Sequence, residues 1–440
     1  MIKLCKILNK ALEEIDILEE YYKEQYEAAM EYVTEEMEQY KYGLAIYKFL
    51  CSRIHKEENP HCMTNAEEQF IAKEIVIIED ENDKDMVEYK WKNQEKYAGK
   101  YELDPVLAEK KVMGLIERPQ ILNNSVIIML LIRYESIISE IYKRLLIAFP
   151  DAYLKDKSIT YDKLISFNSD IEEIKKAFID AEIDEFMRKP LKEWYVIFEQ
   201  KHKVVFNFDE EFEHFREVYY RRNVVVHNRG RANSAYLNGV SPQYACEIGK
   251  RLYPSKDYIL DAIDCTRIVI IETILGFIKL SADKSNIIDK LFLIGFRYMS
   301  EKKWSVSKYI YNALMNIDGQ SDADLWRNRV NYFVSCKNLE GIDNIRAIIE
   351  KEDTSLMADN LAIAKPALLD DFAEVTKILE KNIGEEISVD SVKTWPMFIQ
   401  YRESSEYEAF VERHEELFKI ETCSAEEIIC LSEQEKKRKE

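Results

Sequence analysis

Leu4, Ile7, Leu8, Ala11, Leu12, Ile15 and Leu18 follow one another at steps of three and four residues. That spacing puts apolar side chains on one stripe of an α-helix. Similar runs of Leu, Ile, Glu, Lys and Tyr fill much of the chain, and little interrupts them: 440 residues include only 11 Gly and 9 Pro. Sheet-rich folds need frequent turns, and these are the residues that make them. The expectation is an all-α protein. At 440 residues, 47% of them apolar, the chain exceeds the size at which one core stops growing. Three regions are predicted: an N-terminal helical region (1–118), a helical bundle (119–282) and a C-terminal helical-repeat region (283–440).

Punctuation along the chain sets the expected elements. A break at Glu57-Glu58-Asn59-Pro60 precedes a second helix from Asn65. Residues 79–85 read as a charged loop or helix end, and 86–118 have weak periodicity. Asn123-Asn124-Ser125 is expected to cap a strong helix that runs to Phe149 and stops at Pro150. Charged helices fill 155–186, a link follows at Lys189-Pro190, and a helix spans Phe208 to His227. A loop through Asn238–Pro242 leads to a long apolar helix from Tyr258 to about Ser281. Farther on, Glu340–Lys351 aligns with Asp370–Lys381 at an offset of 30. An apolar helix precedes each copy, with Tyr332 and Phe333 in one and Ala362 and Ile363 in the other. Paired helices at this period resemble a tetratricopeptide-type or related α-solenoid. The tail, 433–440, is charged and expected to fray.

The formal net charge of -20 argues against a general nucleic-acid coat protein, which needs broad positive surface. Any contact with a polyanion must be local, and one segment suits it. Between Arg216 and Arg231 lie five arginines and a single acid, Glu217. The eight cysteines show no framework spacing and read as reduced, buried thiols. The N-terminus lacks the pattern of a signal peptide, and the longest apolar run, Val126–Ile132, is too short to span a bilayer. A cytoplasmic protein with no membrane contact is expected.

The basic segment reads Tyr219-Tyr220-Arg221-Arg222-Asn223-Val224-Val225-Val226-His227-Asn228-Arg229-Gly230-Arg231. On a helix, Asn223 and His227 stack at i and i+4, and Arg222 lies about 100° around from Asn223. Val224 and Val225 are free to pack, while Asn228 and Gly230 suit a helix end. These residue types fit phosphodiester cleavage of RNA, whose own 2′-OH is the nucleophile. The reaction needs a proton acceptor, a proton donor and positive charge on the developing phosphorane. His227 is the natural acid or base near neutral pH. Arg222 offers a planar fork to phosphate oxygens, and Asn223 can orient the imidazole or the phosphate. The helix C-terminus favours the imidazolium and the arginines oppose it.

Arg222-Asn223-x3-His227 resembles the Arg-x4-His signature of the HEPN superfamily. The continuation through Asn228, Gly230, Asn233 and Tyr236 is similar to the abortive-infection-type subgroup. A helix carrying Ile132-Arg133-Tyr134-Glu135 and the closing Tyr258–Ile278 helix fall where that family's bundle has its first and last members. The resemblance covers roughly residues 120–282. It implies a four- or five-helix bundle that dimerises, so that two motif helices meet across a composite cleft. It further implies metal-independent endoribonuclease activity, with no cofactor, leaving 2′,3′-cyclic phosphate ends in an anti-phage or toxin setting. Arg222, Asn223 and His227 would be catalytic, and Arg221, Asn228, Arg229 and Arg231 would hold RNA. Relatives controlled by AMP transfer carry a Tyr two residues after the His. Here that position is Arg229, which argues against such control.

Competing readings attach to the same residues. His227 could cap carbonyls while the arginines pair with nearby acids such as Glu211 and Glu213. Alternatively the bundle binds nucleotides or partners without cleaving, and the C-terminal helices recruit a protein trigger or regulator. Cys51, His55, His61 and Cys62 are a poor zinc set, because adjacent side chains seldom converge on one ion, and no metal is expected. Glu135, with Arg133 and Tyr134, is expected to serve packing or surface rather than the cleft. The 27 tyrosines are spread along the whole chain, which favours core filling over base stacking.

Overall fold

The computed structural model describes residues 1–54, 63–79, 87–155, 157–158, 160–161, 165, 167, 170–207 and 210–418. It is all-α but for one hairpin, and it divides into two compact units, 1–282 and 283–440.

Two long helices carry the first unit. The opening periodic stripe becomes α1 (Cys5–Ile54), 50 residues long. It lies along α3 (Pro105–Ala148), 44 residues long. Arg133 pairs with Glu14 at 3.0 Å, Asn123 with Tyr22 at 3.0 Å, and Arg118 covers the Tyr32 ring at 4.4 Å. Residue numbers rise in one helix as they fall in the other, so the pair is antiparallel. Near the far end the backbones nearly touch. A Cβ on Gly43 would lie 2.7 Å from Ala108 Cβ and 2.8 Å from the Glu102 carbonyl oxygen.

Two expectations fail along this pair. The helix expected to start at Asn123 starts at Pro105, where the Asp104 side chain accepts from the Leu107 N–H at 2.7 Å. Asn123 is no cap. It is buried in mid-helix, accepting from the Tyr22 hydroxyl and donating to the Pro254 carbonyl at 2.7 Å. Pro119 is carried inside the same helix. The boundary expected at 118/119 therefore falls within α3, and regions 1–118 and 119–282 share one unit. A proline leaves one carbonyl free and usually kinks a helix; here burial against α1 carries the helix through it.

The weakly periodic stretch after α2 (Asn65–Glu74) holds a hairpin that helical periodicity could not reveal. Strands β1 (Ile75–Glu79) and β2 (Val87–Trp91) pair antiparallel, with Ile77 opposite Tyr89. Ile75-Val76-Ile77-Ile78 is a β-branched run, stiff at χ1 and suited to a pleated surface. Ile75 joins Ala45, Ile46 and Ile71 in a small core beside Tyr89 and Trp91. The expected break at Glu57–Pro60 lies outside the described residues, as does the charged loop apart from Glu79.

After α3 come α4 (Pro150–Leu154), α5 (Ile171–Met187), α6 (Leu191–His202), α7 (Glu210–Asn228), α8 (Ser234–Gly239) and α9 (Lys256–Gly276). Asn238 and Gly239, expected in a loop, belong to α8, a single turn capped by Asn233. The apolar helix α9 packs on α1, α3 and α7. It carries Arg267, wholly buried, whose guanidinium is held by Asp16 at 2.8 Å, Asp264 at 2.6 Å and Glu19. The unit closes where the Ala282 N–H donates to the Ile2 carbonyl at 2.7 Å. By length and composition α3 is apolar enough to cross a bilayer, a property the shorter Val126–Ile132 run did not suggest. Val126, Ile127, Leu130 and Leu131 of this helix are buried, while Ile121 and Ile132 are exposed.

The second unit packs α10 (Lys284–Ser300), α11 (Trp304–Met315) and α12 (Asp322–Glu340) in sequence. The two copies of the 30-residue repeat do not fold alike. Gly341, at φ 86°, ends α12, and the first copy holds only the six-residue helix Arg346–Lys351. The second forms the 11-residue helix Phe372–Asn382, capped by Asp371. The preceding helices differ too: one is the 19-residue α12, and the other is split into Asp359–Ala362 and Ala364–Leu368.

Candidate active site

The motif helix α7 starts with Glu210, Glu211 and Glu213 in its first turn and ends with His227 in its last. Both suit the helix dipole. Its C-terminus is elaborately held. Arg229 takes the left-handed conformation at φ 53° and Gly230 follows at φ 72°. A non-glycine residue in that region costs roughly 1–2 kcal/mol, so the surroundings must impose it. The Gly230 N–H returns to the Val224 carbonyl at 3.1 Å, and the Leu252 N–H donates to the Gly230 carbonyl at 2.8 Å. The Ala232 N–H donates to the Lys250 carbonyl at 2.9 Å, and Arg231 pairs with Arg251 as an antiparallel bridge. Val224 packs with Ala232, Tyr236 and Val240 beneath this corner. Gly239 lets the Tyr220 ring approach so closely that a Cβ there would lie 2.3 Å from it.

The residues of the extended pattern divide by role. Asn228 Nδ2 donates to the Arg231 carbonyl at 2.5 Å, closing the turn. Asn233 caps α8 by accepting from the Tyr236 N–H at 2.9 Å. The Tyr236 hydroxyl donates to Glu217 at 2.6 Å. Glu217 is fully buried and also accepts from Tyr258 and from Arg221 Nε, the latter at 2.8 Å. The Arg221 guanidinium lies 4.2 Å from the Tyr258 ring centroid. Burial drives the Tyr236 and Tyr258 hydroxyls well above their usual range, with the Glu217 charge adding to it. Burial works against the Arg221 cation, but Tyr258 and Glu217 outweigh it and raise its pKa. Arg221 and Asn228, expected to contact RNA, are committed to the scaffold instead.

Arg222, Asn223 and His227 are placed differently. His227 is exposed and Asn223 half-buried, and neither makes a side-chain hydrogen bond or ion pair among the described residues. His227 therefore does not cap its own carbonyls. Arg222 forms an ion pair with Glu135 of α3 and lies 5.3 Å from the Tyr219 ring centroid. Its Nε is buried without a partner. Burial raises the Glu135 carboxyl above its ordinary value, and Arg222 only partly opposes this. Glu135, expected to be a packing or surface residue, thus faces the motif directly. Of the acids expected to pair with the arginines of the segment, Glu213 holds Arg216 at 3.1 Å.

Arg229 and Arg231 are exposed, although Arg231 Nη1 also donates to the Gly249 carbonyl at 3.0 Å. The bridge to the 249–252 segment brings exposed Lys250, and Arg251, beside them. Arg251 is held by Glu117 at 2.7 Å. Sequence reading missed these two cations because nothing local ties residue 250 to residue 231. Among the described residues no cluster of three or more His, Cys, Asp and Glu side chains is placed to hold a metal. His55, His61 and Cys62 of the weak zinc set lie outside those residues. No family model, curated protein or solved structure matches this chain.

Proposed function

We propose that this protein is a metal-independent endoribonuclease of HEPN type, acting as a dimer through the exposed face of α7. One observation supports this most: the motif splits into a buried half that builds a strained helix end and an accessible half, Asn223 and His227 with Arg222 beside them. A helix end that merely needed capping has no use for an imidazole left in solvent. In this reading His227 exchanges a proton with the 2′-OH or the 5′-oxygen, and Arg222 counters charge on the phosphorane. Asn223 orients one of them, and Arg229, Arg231 and Lys250 hold flanking phosphates. A second copy is favoured by the apolar residues that flank the ion pair. Val226 lies one turn from Arg222 and is 48% exposed; Ile132 lies one turn from Glu135 and is 59% exposed. Dimerisation of this face would bring two sets of motif residues together. An anti-phage or toxin role follows from the reaction, since unguarded RNA cleavage arrests growth.

The test is cleavage of RNA by the purified protein in EDTA, beside His227→Ala and Arg222→Ala. Loss of a positioned general acid–base lowers rate by about 10²–10⁴-fold, and His227, being exposed, should be replaceable without loss of fold. Cyclic phosphate ends are expected. RNA left intact by wild-type protein under every activating condition would overturn the proposal.

The Arg222–Glu135 ion pair favours a second reading, a silent binding module, because it already neutralises the cation that catalysis needs. Expression separates the two. A nuclease slows growth and His227→Ala relieves it, whereas a silent module leaves growth indifferent to that change.

A further inference from the structure

Leu252 packs on the core beneath the motif corner and Pro254 is buried, yet Tyr253 between them is 54% exposed. The backbone on either side of it is fixed. The Gly249 N–H donates to the Ala232 carbonyl at 2.8 Å, and the Leu252 N–H to the Gly230 carbonyl at 2.8 Å. Beyond the tyrosine, the buried Asn123 of α3 donates to the Pro254 carbonyl at 2.7 Å. Residues 249–254 are thus tied to the end of α7 on one side and to α3 on the other. Side chains alternate along extended backbone, so with Leu252 turned inward, Arg251 and Tyr253 share the outer side.

The two outer side chains meet. The Arg251 guanidinium lies 4.7 Å from the Tyr253 ring centroid, and Glu117 anchors it there at 2.7 Å. The Tyr253 hydroxyl makes no hydrogen bond and the ring touches no other aromatic ring among the described residues. A guanidinium on one face of a ring that is more than half in solvent leaves the other face open. Beside this flat surface stand Arg231, bridged to Arg251, and exposed Lys250. Cations for the phosphates and an aromatic face for the bases are the combination that binds unpaired nucleic acid.

We infer that Tyr253 is the platform of a base-binding subsite, on which an unpaired RNA base stacks while Arg231 and Lys250 hold the adjoining phosphates. The inference rests on the nuclease reading for its ligand, not for its geometry. The subsite selects single strands, because the bases of a duplex are already stacked on one another and offer no face to the ring. An acidic protein segment would satisfy the cations equally well, but it carries no flat group to lay on a ring presented face-on. Arg251 acts through Tyr253: pinned by Glu117, it backs the ring rather than reaching for a phosphate.

The test is fluorescence anisotropy of the full chain with a short 2′-O-methyl RNA strand, which lacks the nucleophilic hydroxyl and so reports binding apart from cleavage. A duplex of the same sequence and a glutamate-rich peptide serve as comparison arms. Tyr253→Ala should weaken binding of the single strand about tenfold, the worth of one base–aromatic stack, and leave the duplex unchanged. Tyr253→Trp, which keeps a π-face, should stay within about twofold of wild type, whereas Tyr253→Leu should behave as alanine. The side chain is exposed and its backbone is held by its neighbours, so all three variants should fold. A single strand bound equally by wild type and Tyr253→Ala, equal losses for strand and duplex, rescue by leucine, or binding of the peptide alone would each overturn the inference, as would no binding at all. Cleavage is read separately. Protein that binds in this way yet leaves RNA intact keeps the subsite and loses the nuclease reading; protein that cleaves but binds indifferently to Tyr253→Ala loses the subsite alone.

Discussion

At the scale of single residues, Glu217 and Glu135 do opposite work beside the same helix. Glu217 is buried and accepts from Arg221, Tyr236 and Tyr258. Removing it strands a largely buried guanidinium, so Glu217→Ala should destabilise the first unit by about 3–5 kcal/mol in urea titration. Glu217→Gln, which keeps an acceptor, should cost less. Burial holds the Glu135 carboxyl above its ordinary value, and its partner is the proposed catalytic arginine. Glu135→Gln should leave stability nearly unchanged. In the nuclease reading it should also tighten RNA binding, because Arg222 is released; weaker binding would show that Glu135 instead positions the guanidinium. Histidines set the acid response. Burial holds His214 and His202 below their ordinary value, so the unfolded chain takes up their protons first. Stability should fall as pH drops through the ordinary histidine range and recover as it rises. His214→Phe, keeping the ring packed against Tyr244 and Tyr258, should shrink the difference in Tm between about pH 5.5 and 7.5.

At the scale of elements, the α1–α3 pair frames the first unit, and Gly43 is where it closes. Gly43→Ala forces its Cβ toward Ala108 Cβ and the Glu102 carbonyl. Overpacking of this kind costs about 1–3 kcal/mol, measurable by thermal melts. Adding Ala108→Gly removes one of the two clashes and should restore part of the loss, a coupling that independent sites would not show. The motif helix follows another logic. Its exposed residues tolerate substitution, whereas Gly230 and Gly239 sit where a side chain meets left-handed backbone or the Tyr220 ring.

At the scale of the whole molecule, the net charge of -20 and the local cluster of Arg222, Arg229, Arg231, Lys250 and Arg251 respond oppositely to salt. Added salt screens self-repulsion and should raise Tm. In the nuclease reading the same salt should weaken RNA binding, with a log–log slope near 0.7 for each phosphate neutralised on single strands. A slope far steeper than this small cluster allows would mean that RNA lies over more of the surface.

Much was legible from periodicity alone: the all-α class, the α1 stripe, the motif helix ending at Asn228, and a division near residue 282 all rest on local spacing, capping and breakers. The hairpin at 75–91 was not, because a search tuned to a 3.6-residue period passes over a short β-branched run. Nor was the passage of α3 through Pro119, since a proline reads locally as a stop and only burial against α1 overrides it. The basic segment announced itself by composition. Which of its members stay in solvent was decided by partners far along the chain: Glu135 from α3, Tyr258 from α9, and the 249–252 segment that brings Lys250 alongside. Neighbours within a helical turn are set by the order of residues, whereas ion pairing and burial are set by whatever the fold brings near, and one chain read in a line does not hold that information.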